Sequence, residues 1–367
     1  MITRRQLFKA GLAAGAALLG GCSFSSSPTL SKPLVSAARN NQGQHSIRIF
    51  SADRLQEYSV DIPFRAHDVA QRPGTSEIVV FDRRPGRFLY RLDWRSAASV
   101  EVLNCDSNRH LYGHGVFSPD GRWLYTTENN LDNLSGVIGI YDAEKGYQRV
   151  GEWSLDGHGP HEIQLMPDGQ TLVVALGGMK THPDTGREVL NLETMQSALV
   201  YIDRLTGLEV ERQEFVDPQL SIRHLAVSSD GLVAVGMQYQ GEPGSMLPLA
   251  AFHRRGEPLD AVKADDEQWL LFSDYVASVC LLPEAGSMAI TSPRGNRIGL
   301  VDLHDGSLKT LLHDRDCAGL AAVNGNELAV SNGLGDIRLL KCHNGSASEL
   351  GRVQYAGIQW DNHMLAV

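Results

Sequence analysis

Five histidines, His67, His114, His161, His224 and His363, have both the chemistry and the spacing to build a site. His114 and His161 open two near-copies of one phrase. The first is Gly113-His114-Gly115-Val116-Phe117-Ser118-Pro119-Asp120-Gly121, and the second is Pro160-His161-Glu162-Ile163-Gln164-Leu165-Met166-Pro167-Asp168-Gly169; the two histidines lie 47 residues apart. Weaker copies begin at His67, His224, Ser278 and Gly319, and Asn362-His363-Met364-Leu365-Ala366-Val367 starts another. A neutral imidazole is a common metal ligand, so three or four of these converging on one point would suit iron, copper or zinc. Glu128 or Glu162 would be an oxygen donor. Ligand nitrogens must approach to about 2.1 Å for zinc, which equivalent positions permit without demonstrating.

The elements that carry them are short strands. No long segment has a 3.6-residue apolar period. What recurs is an apolar run, a Pro/Asp/Gly turn, a second run, and a third strand closed by an Asp-rich turn at Asp142, Asp203 or Asp302. This is the four-stranded period of roughly 40 to 50 residues of a β-propeller blade. The termini set the number. The chain ends on a lone first strand at His363, and three strands without a first one stand at the other end, around 34–38, 45–50 and 56–60. The expected fold is an all-β, seven-bladed β-propeller over 33–367, its last blade closed by one C-terminal and three N-terminal strands.

Such a blade places the start of its innermost strand and the loop between its second and third strands on one face. The histidines and three long loops, at 128–136, 177–197 and 239–248, are therefore expected together there. The longest loop holds Met179, His182, Arg187 and Asn191 as candidate ligand contacts. Loops of this length are usually functional or disordered. A scaffold role for the histidines competes with the metal role, since in WD-repeat propellers a Gly-His at this place hydrogen-bonds within its own blade. Such a histidine should travel with a fixed partner. Here His224 goes with a third strand ending Ala251-Phe252-His253, while the blade with Asp302 has Ser278. Both roles stay open at this point.

The first 22 residues read as an address. Arg4-Arg5 before a short Ala/Gly/Leu run resembles a twin-arginine signal, and Leu19-Gly20-Gly21-Cys22 resembles a lipobox with Cys22 as the acylated residue. A Ser/Pro tether at 23–32 follows. Ser23 after the cysteine suits an outer-membrane-anchored lipoprotein on the periplasmic side, held to the membrane by its lipid. Without Arg4, Arg5 and Lys9 the mature chain has 30 basic and 43 acidic residues, a formal charge of −13, which argues against nucleic acid as a partner. Cys105, Cys280, Cys317 and Cys342 have no tight spacing, so they allow one disulfide or buried thiols. Asp265-Asp266-Glu267 reads as a solvated turn before a buried strand at 269–272. There is no nucleophile elbow, phosphate loop, His-Glu-x-x-His or haem motif.

One resemblance covers about residue 33 to the end. Tyr112-Gly113-His114-Gly115-Val116-Phe117-Ser118, Thr127-Glu128-Asn129, Gly159-Pro160-His161-Glu162, Gly177-Gly178, His182-Pro183, Arg187, Leu190-Asn191-Leu192 and Trp360-Asp361-Asn362-His363 together resemble the bacterial domain-of-unknown-function family 1513. The resemblance implies a periplasmic propeller without an assigned reaction, often encoded beside imelysin-like proteins in iron-related gene clusters. It further implies iron acquisition with a periplasmic iron-uptake partner protein. Three functions follow as expectations. The first is a non-enzymatic protein of metal acquisition that binds a metal ion or metal complex, iron ahead of copper, at the top-face histidines. The second is an enzyme of lactonase or quinoprotein dehydrogenase type with Glu128, His161 and Arg187 in the funnel. The third is a protein-interaction platform with structural histidines.

Overall fold

The structure is a computed structural model that describes residues 32–51, 57–96, 99–186 and 188–367. The leader, Cys22 and the tether up to residue 31 lie outside the described residues, as does Arg187. Seven four-stranded antiparallel sheets form seven blades. Numbered from His67, their innermost strands are Ala66–Gln71, Arg109–Phe117, Pro160–Leu165, Leu220–Val227, Ser278–Leu282, Cys317–Asn324 and Ile358–Ala366. Each packs against the next, and the seventh packs against the first, so the ring closes.

The seventh blade is assembled as the termini require: Ile358–Ala366 pairs with Leu34–Asn40, which pairs with His45–Phe50 and then Glu57–Ile62. Pairing the ends removes two free sheet edges, each of which would leave a row of unpaired N–H and C=O groups.

Blades bury both faces against their neighbours, so the middle strands read as continuous apolar runs. Thr171–Leu176 is buried at every residue. Each apolar cluster bridges adjacent blades. Val35, Ile47 and Ile49 of blade 7, for example, pack on Val69, Ile78, Val80 and Tyr90 of blade 1. The outermost strands face water and turn polar, as in Glu209–Glu214.

One of the three expected long loops has its expected bounds, between Leu176 and Ala198, and a second, between Tyr239 and Ala250, is displaced by one residue from the expected 239–248. The third is shorter. The second strand of blade 2 runs Trp123–Asn130, so Glu128 belongs to a strand and only 131–135 is loop. The segment after Asp265 is a short helix, Asp266–Leu270, instead of a strand; Trp269 and Phe272 still fill the core. Cys105, Cys280, Cys317 and Cys342 are all free thiols. Burial raises the thiol pKa of Cys105, Cys280 and Cys317 to about 12. Among the described residues no helix is long and apolar enough to cross a membrane.

Trp360 in the closing strand is 5% exposed and lies 4.8 Å from the Phe50 ring and 5.2 Å from Tyr355. Trp360→Ala should destabilise the domain by about 3–5 kcal/mol in denaturant unfolding, because it empties the joint between the terminal strands. A loss below about 1 kcal/mol would show that the joint holds without this packing.

Candidate metal centre

The backbone prepares the site by breaking its own register. In each of the five blades that carry a repeat histidine, the innermost strand slips against the second strand at that residue or, in blade 4, at Arg223 just before it. The slips fall between Ala66 and Val69, Leu111 and Gly115, Pro160 and Ile163, Ile222 and His224, and opposite Ser36–Ala38. Ser278, which stands in the place of a histidine, sits in a strand with no slip, whereas blade 6, with Gly319 at that place, slips between Cys317 and Leu320, so the slip belongs to the blade and is not peculiar to histidine. A bulge adds a residue without a cross-strand partner and re-aims its side chain. Gly113 makes one of these bulges possible: its φ is +105°, and a Cβ there would lie 2.8 Å from Cδ2 of His67.

The five imidazoles turn to the axis and meet. Ring centroids are 4.9 Å apart for His67 and His114, 5.0 Å for His114 and His161, 4.9 Å for His161 and His224, 4.8 Å for His224 and His363, and 4.5 Å for His363 and His67. His114 also lies 4.9 Å from His363. Two triads, His67/His114/His161 and His114/His224/His363, bring one ligand nitrogen per residue within 4.8 Å of one another.

Three of the outer nitrogens are held by a neighbouring blade. His67 Nδ1 lies 3.0 Å from Asp361 of blade 7, His114 Nδ1 lies 2.9 Å from Asp68 of blade 1, and His224 Nδ1 lies 3.2 Å from Glu162 of blade 3. Ser278 Oγ is 3.5 Å from His363 Nδ1. A carboxylate only accepts, so Nδ1 carries the proton and Nε2 keeps its lone pair. The Nε2 atoms of His114, His224 and His363 are buried without a partner. Carboxylates behind Nδ1 and bare Nε2 atoms in front make the outer-shell arrangement of metal-binding histidines. Partners drawn from the adjacent blade also differ from the own-blade bond of a scaffold histidine. His161 is the exception, with Nδ1 unpartnered. The preceding blade offers Gly115 where blades 1 and 3 offer Asp68 and Glu162, and a Cβ at Gly115 would meet Phe81 at 2.6 Å.

Burial sets the protonation. It lowers the His67 pKa to about 3 against the raising effect of Asp361, and it holds His161, His224 and His363 well below the usual imidazole value, with neighbouring cations adding to the effect. For His114 burial also lowers the pKa, but the charges of Asp68 and Glu162 prevail and raise it. Four imidazoles are thus neutral at pH 7, the form that binds metal.

The other candidates divide. Glu162, 6% exposed, is behind the ring on the Nδ1 side of His224, where burial raises its pKa, and so acts as a support and not as a facing oxygen donor. Glu128 is away from the centre. Its carboxylate accepts from Thr126 and Tyr141 and pairs with Arg149 at 2.9 Å inside the blade packing. Asn191 staples the long loop, accepting from Lys180 N and donating to Gly178 O. His182 caps a turn by accepting from Asp184 N and lines a small rim pocket with Arg84, His110 and Thr181. Met179 is 3% exposed, with its sulfur 3.6 Å from Arg223 Nη2. Asp68 and Asp361, which hold two of the imidazoles, were visible in the sequence only as acids one or two residues from a histidine.

A family model described as "Protein of unknown function (DUF1513)" matches residues 60–367. The chain belongs to this family. No curated protein matches its sequence. A solved chain titled Kuenenia stuttgartiensis Hydrazine Synthase is 14% identical, with a TM-score of 0.62 over 93% of this chain and 100% of that one. At that identity the likeness shows the propeller fold alone.

The lowered histidine values make the metal-free domain acid-labile. The unfolded chain takes up these protons near pH 6.5, whereas folded His67 does so only near pH 3, so stability is full above about 6.5 and is lost as pH falls. His114 has the opposite sign, one against four. The loss is about 1.4 kcal/mol per pH unit for each proton by which the unfolded chain exceeds the folded one. Melting curves of metal-free protein from pH 7.5 to 5 should show this slope, and His363→Gln should flatten it; equal slopes would contradict the assignment.

Proposed function

We propose that this protein is a non-enzymatic metal-binding lipoprotein of the bacterial envelope, holding a transition-metal ion on the propeller axis through His67, His114, His161, His224 and His363. The observation that carries it is the convergence of five imidazoles whose inner Nε2 atoms, in His114, His224 and His363, are buried without partners. A buried imidazole set, four of its five rings neutral, with outer nitrogens held by Asp361, Asp68 and Glu162, is preorganised for a cation and costly to keep otherwise.

The donor set refines the choice of metal. Iron is what the family resemblance implies, but non-haem iron sites commonly include a carboxylate, and here the acids stand behind the imidazoles. All-imidazole coordination suits copper, and copper also heads the affinity order for nitrogen ligands. Copper is therefore placed ahead of zinc and iron. Non-enzymatic binding is favoured over a lactonase or quinoprotein role because Glu128, the acid such chemistry would use in the funnel, is spent on Arg149. The twin-arginine and lipobox signals support delivery to the periplasmic face of the envelope.

Titration of the purified mature chain with Cu(II), Zn(II) and Fe(II) should give binding in that order. His114→Ala with His161→Ala should remove it, and Asp361→Asn should keep the stoichiometry while weakening affinity on the order of 10- to 100-fold. Unchanged stoichiometry in the double variant would sink the proposal. Cys22→Ser should move the protein from the membrane fraction to the soluble periplasmic fraction; persistence in the membrane would exclude a lipid anchor at that residue.

A further inference from the structure

The channel has two electrically different sides. On one side of the imidazoles is a cavity of about 320 Å³, lined by Asp68, Glu162, Gln164 and Ser278 with apolar strand residues. Among the charged groups on the other side are Arg84 and Arg223, together with Arg83, which pairs with the buried Asp361 at 3.5 Å.

Arg223 is the unusual member. It is the residue bulged out before His224 and is 6% exposed. Its Nη2 meets Gln238 Oε1 at 3.3 Å and the Met179 sulfur at 3.6 Å, while its buried Nε has no acceptor. The ionisable groups acting on it most strongly are Arg84, Tyr275, Tyr112 and Arg294, none of them an anion at neutral pH. The Arg84 guanidinium stands 5.7 Å over the Tyr112 ring, and that of Arg294 stands 5.0 Å over Tyr275. A guanidinium keeps its proton inside proteins, so this is a buried cation, and no carboxylate among the described residues hydrogen-bonds or ion-pairs with it. Beside it His161, the one imidazole of the five that is only half-buried, has an unpartnered Nδ1.

We propose that a small carboxylate binds on this side of the axis, anchored by the Arg223 guanidinium and lying against the His161 side of the histidine cluster. Nε is free, and Nη2 on the same edge holds only the 3.3 Å contact with Gln238 and the 3.6 Å contact with Met179, so a carboxylate that displaced one of these would meet two parallel donors, a match to its planar shape that a tetrahedral anion lacks. The ligand must be small, because Met179 packs over the guanidinium and is itself buried. The inference goes beyond metal binding, since the anchor exists without a metal, and an ion among the imidazoles would add a second attracting charge.

The test uses metal-free and copper-loaded mature protein, titrated with sodium acetate and, separately, with inorganic phosphate and sulfate at constant ionic strength. Calorimetry and melting temperature are the readouts. Acetate should bind saturably to the metal-free protein and raise its melting temperature. Arg223→Met should weaken that binding on the order of tenfold or more, and Arg223→Lys, which keeps the charge but loses the fork, should fall between. Both variants should still melt cooperatively; if Arg223→Met does not fold, Arg223→Lys carries the comparison. No saturable acetate response in the wild type, equal binding in the variants, or a preference for phosphate or sulfate would overturn the proposal. A failure to bind copper with acetate binding intact would remove the metal proposal and leave this one standing.

Discussion

The pairing of the last strand with the first is the constraint on which the site depends. Ile358–Ala366 and Leu34–Asn40 close the ring, and only a closed ring has an axis where side chains from separate blades can meet. The joint also reaches the site directly. Opposite Ala37 the last strand bulges, freeing Asp361 to hold His67 and turning His363 inward, while Ser36 Oγ donates to the His363 carbonyl at 2.8 Å. Burial raises the pKa of Asp361, but its hydrogen bond with His67 and the charges of Arg83, at 3.5 Å, and of Arg65 prevail, so it stays below the usual carboxylate range and ionised.

From that closure the site follows as a conflict resolved locally. A regular strand alternates its side chains between the two faces of its blade, and both faces are needed for packing against neighbouring blades. A histidine aimed down the axis must leave that alternation, and the bulge allows it at the cost of ladder hydrogen bonds. The slip is not confined to these blades: Gly319 lies in one between Cys317 and Leu320, while the strand of Ser278 has none. Because the bulge also shifts the following residue, Asp68 and Glu162 reach the histidine of another blade and not their own. The centre is therefore wired between blades, which couples the integrity of the ring to the orientation of each imidazole.

The environment then makes one side of the channel acid-lined and the other rich in guanidinium groups. Cations are favoured near Asp68 and Glu162 and disfavoured near Arg223. A neutral imidazole cluster between the two has no net preference until an ion arrives. The long loop from Leu176 to Ala198 contributes by covering the basic side with Met179; its Asn191 and His182 serve mainly to hold the loop's own shape.

The sequence by itself determined the seven blades, their closure by both termini, and the equivalence of the five histidines, because strand alternation and turn chemistry are local and repeat along the chain. His67, His114, His161, His224 and His363 were legible for the same reason. Where these side chains point, and what they meet, only the tertiary structure decided. Glu128 stands at the start of the segment expected to be loop, yet the strand continues to Asn130 and Arg149, 21 residues on, claims its charge. Asp361 and His67 are separated by 294 residues, and Arg223 and Met179 by 44. Contacts at such separations depend on the ring, and no local pattern encodes them.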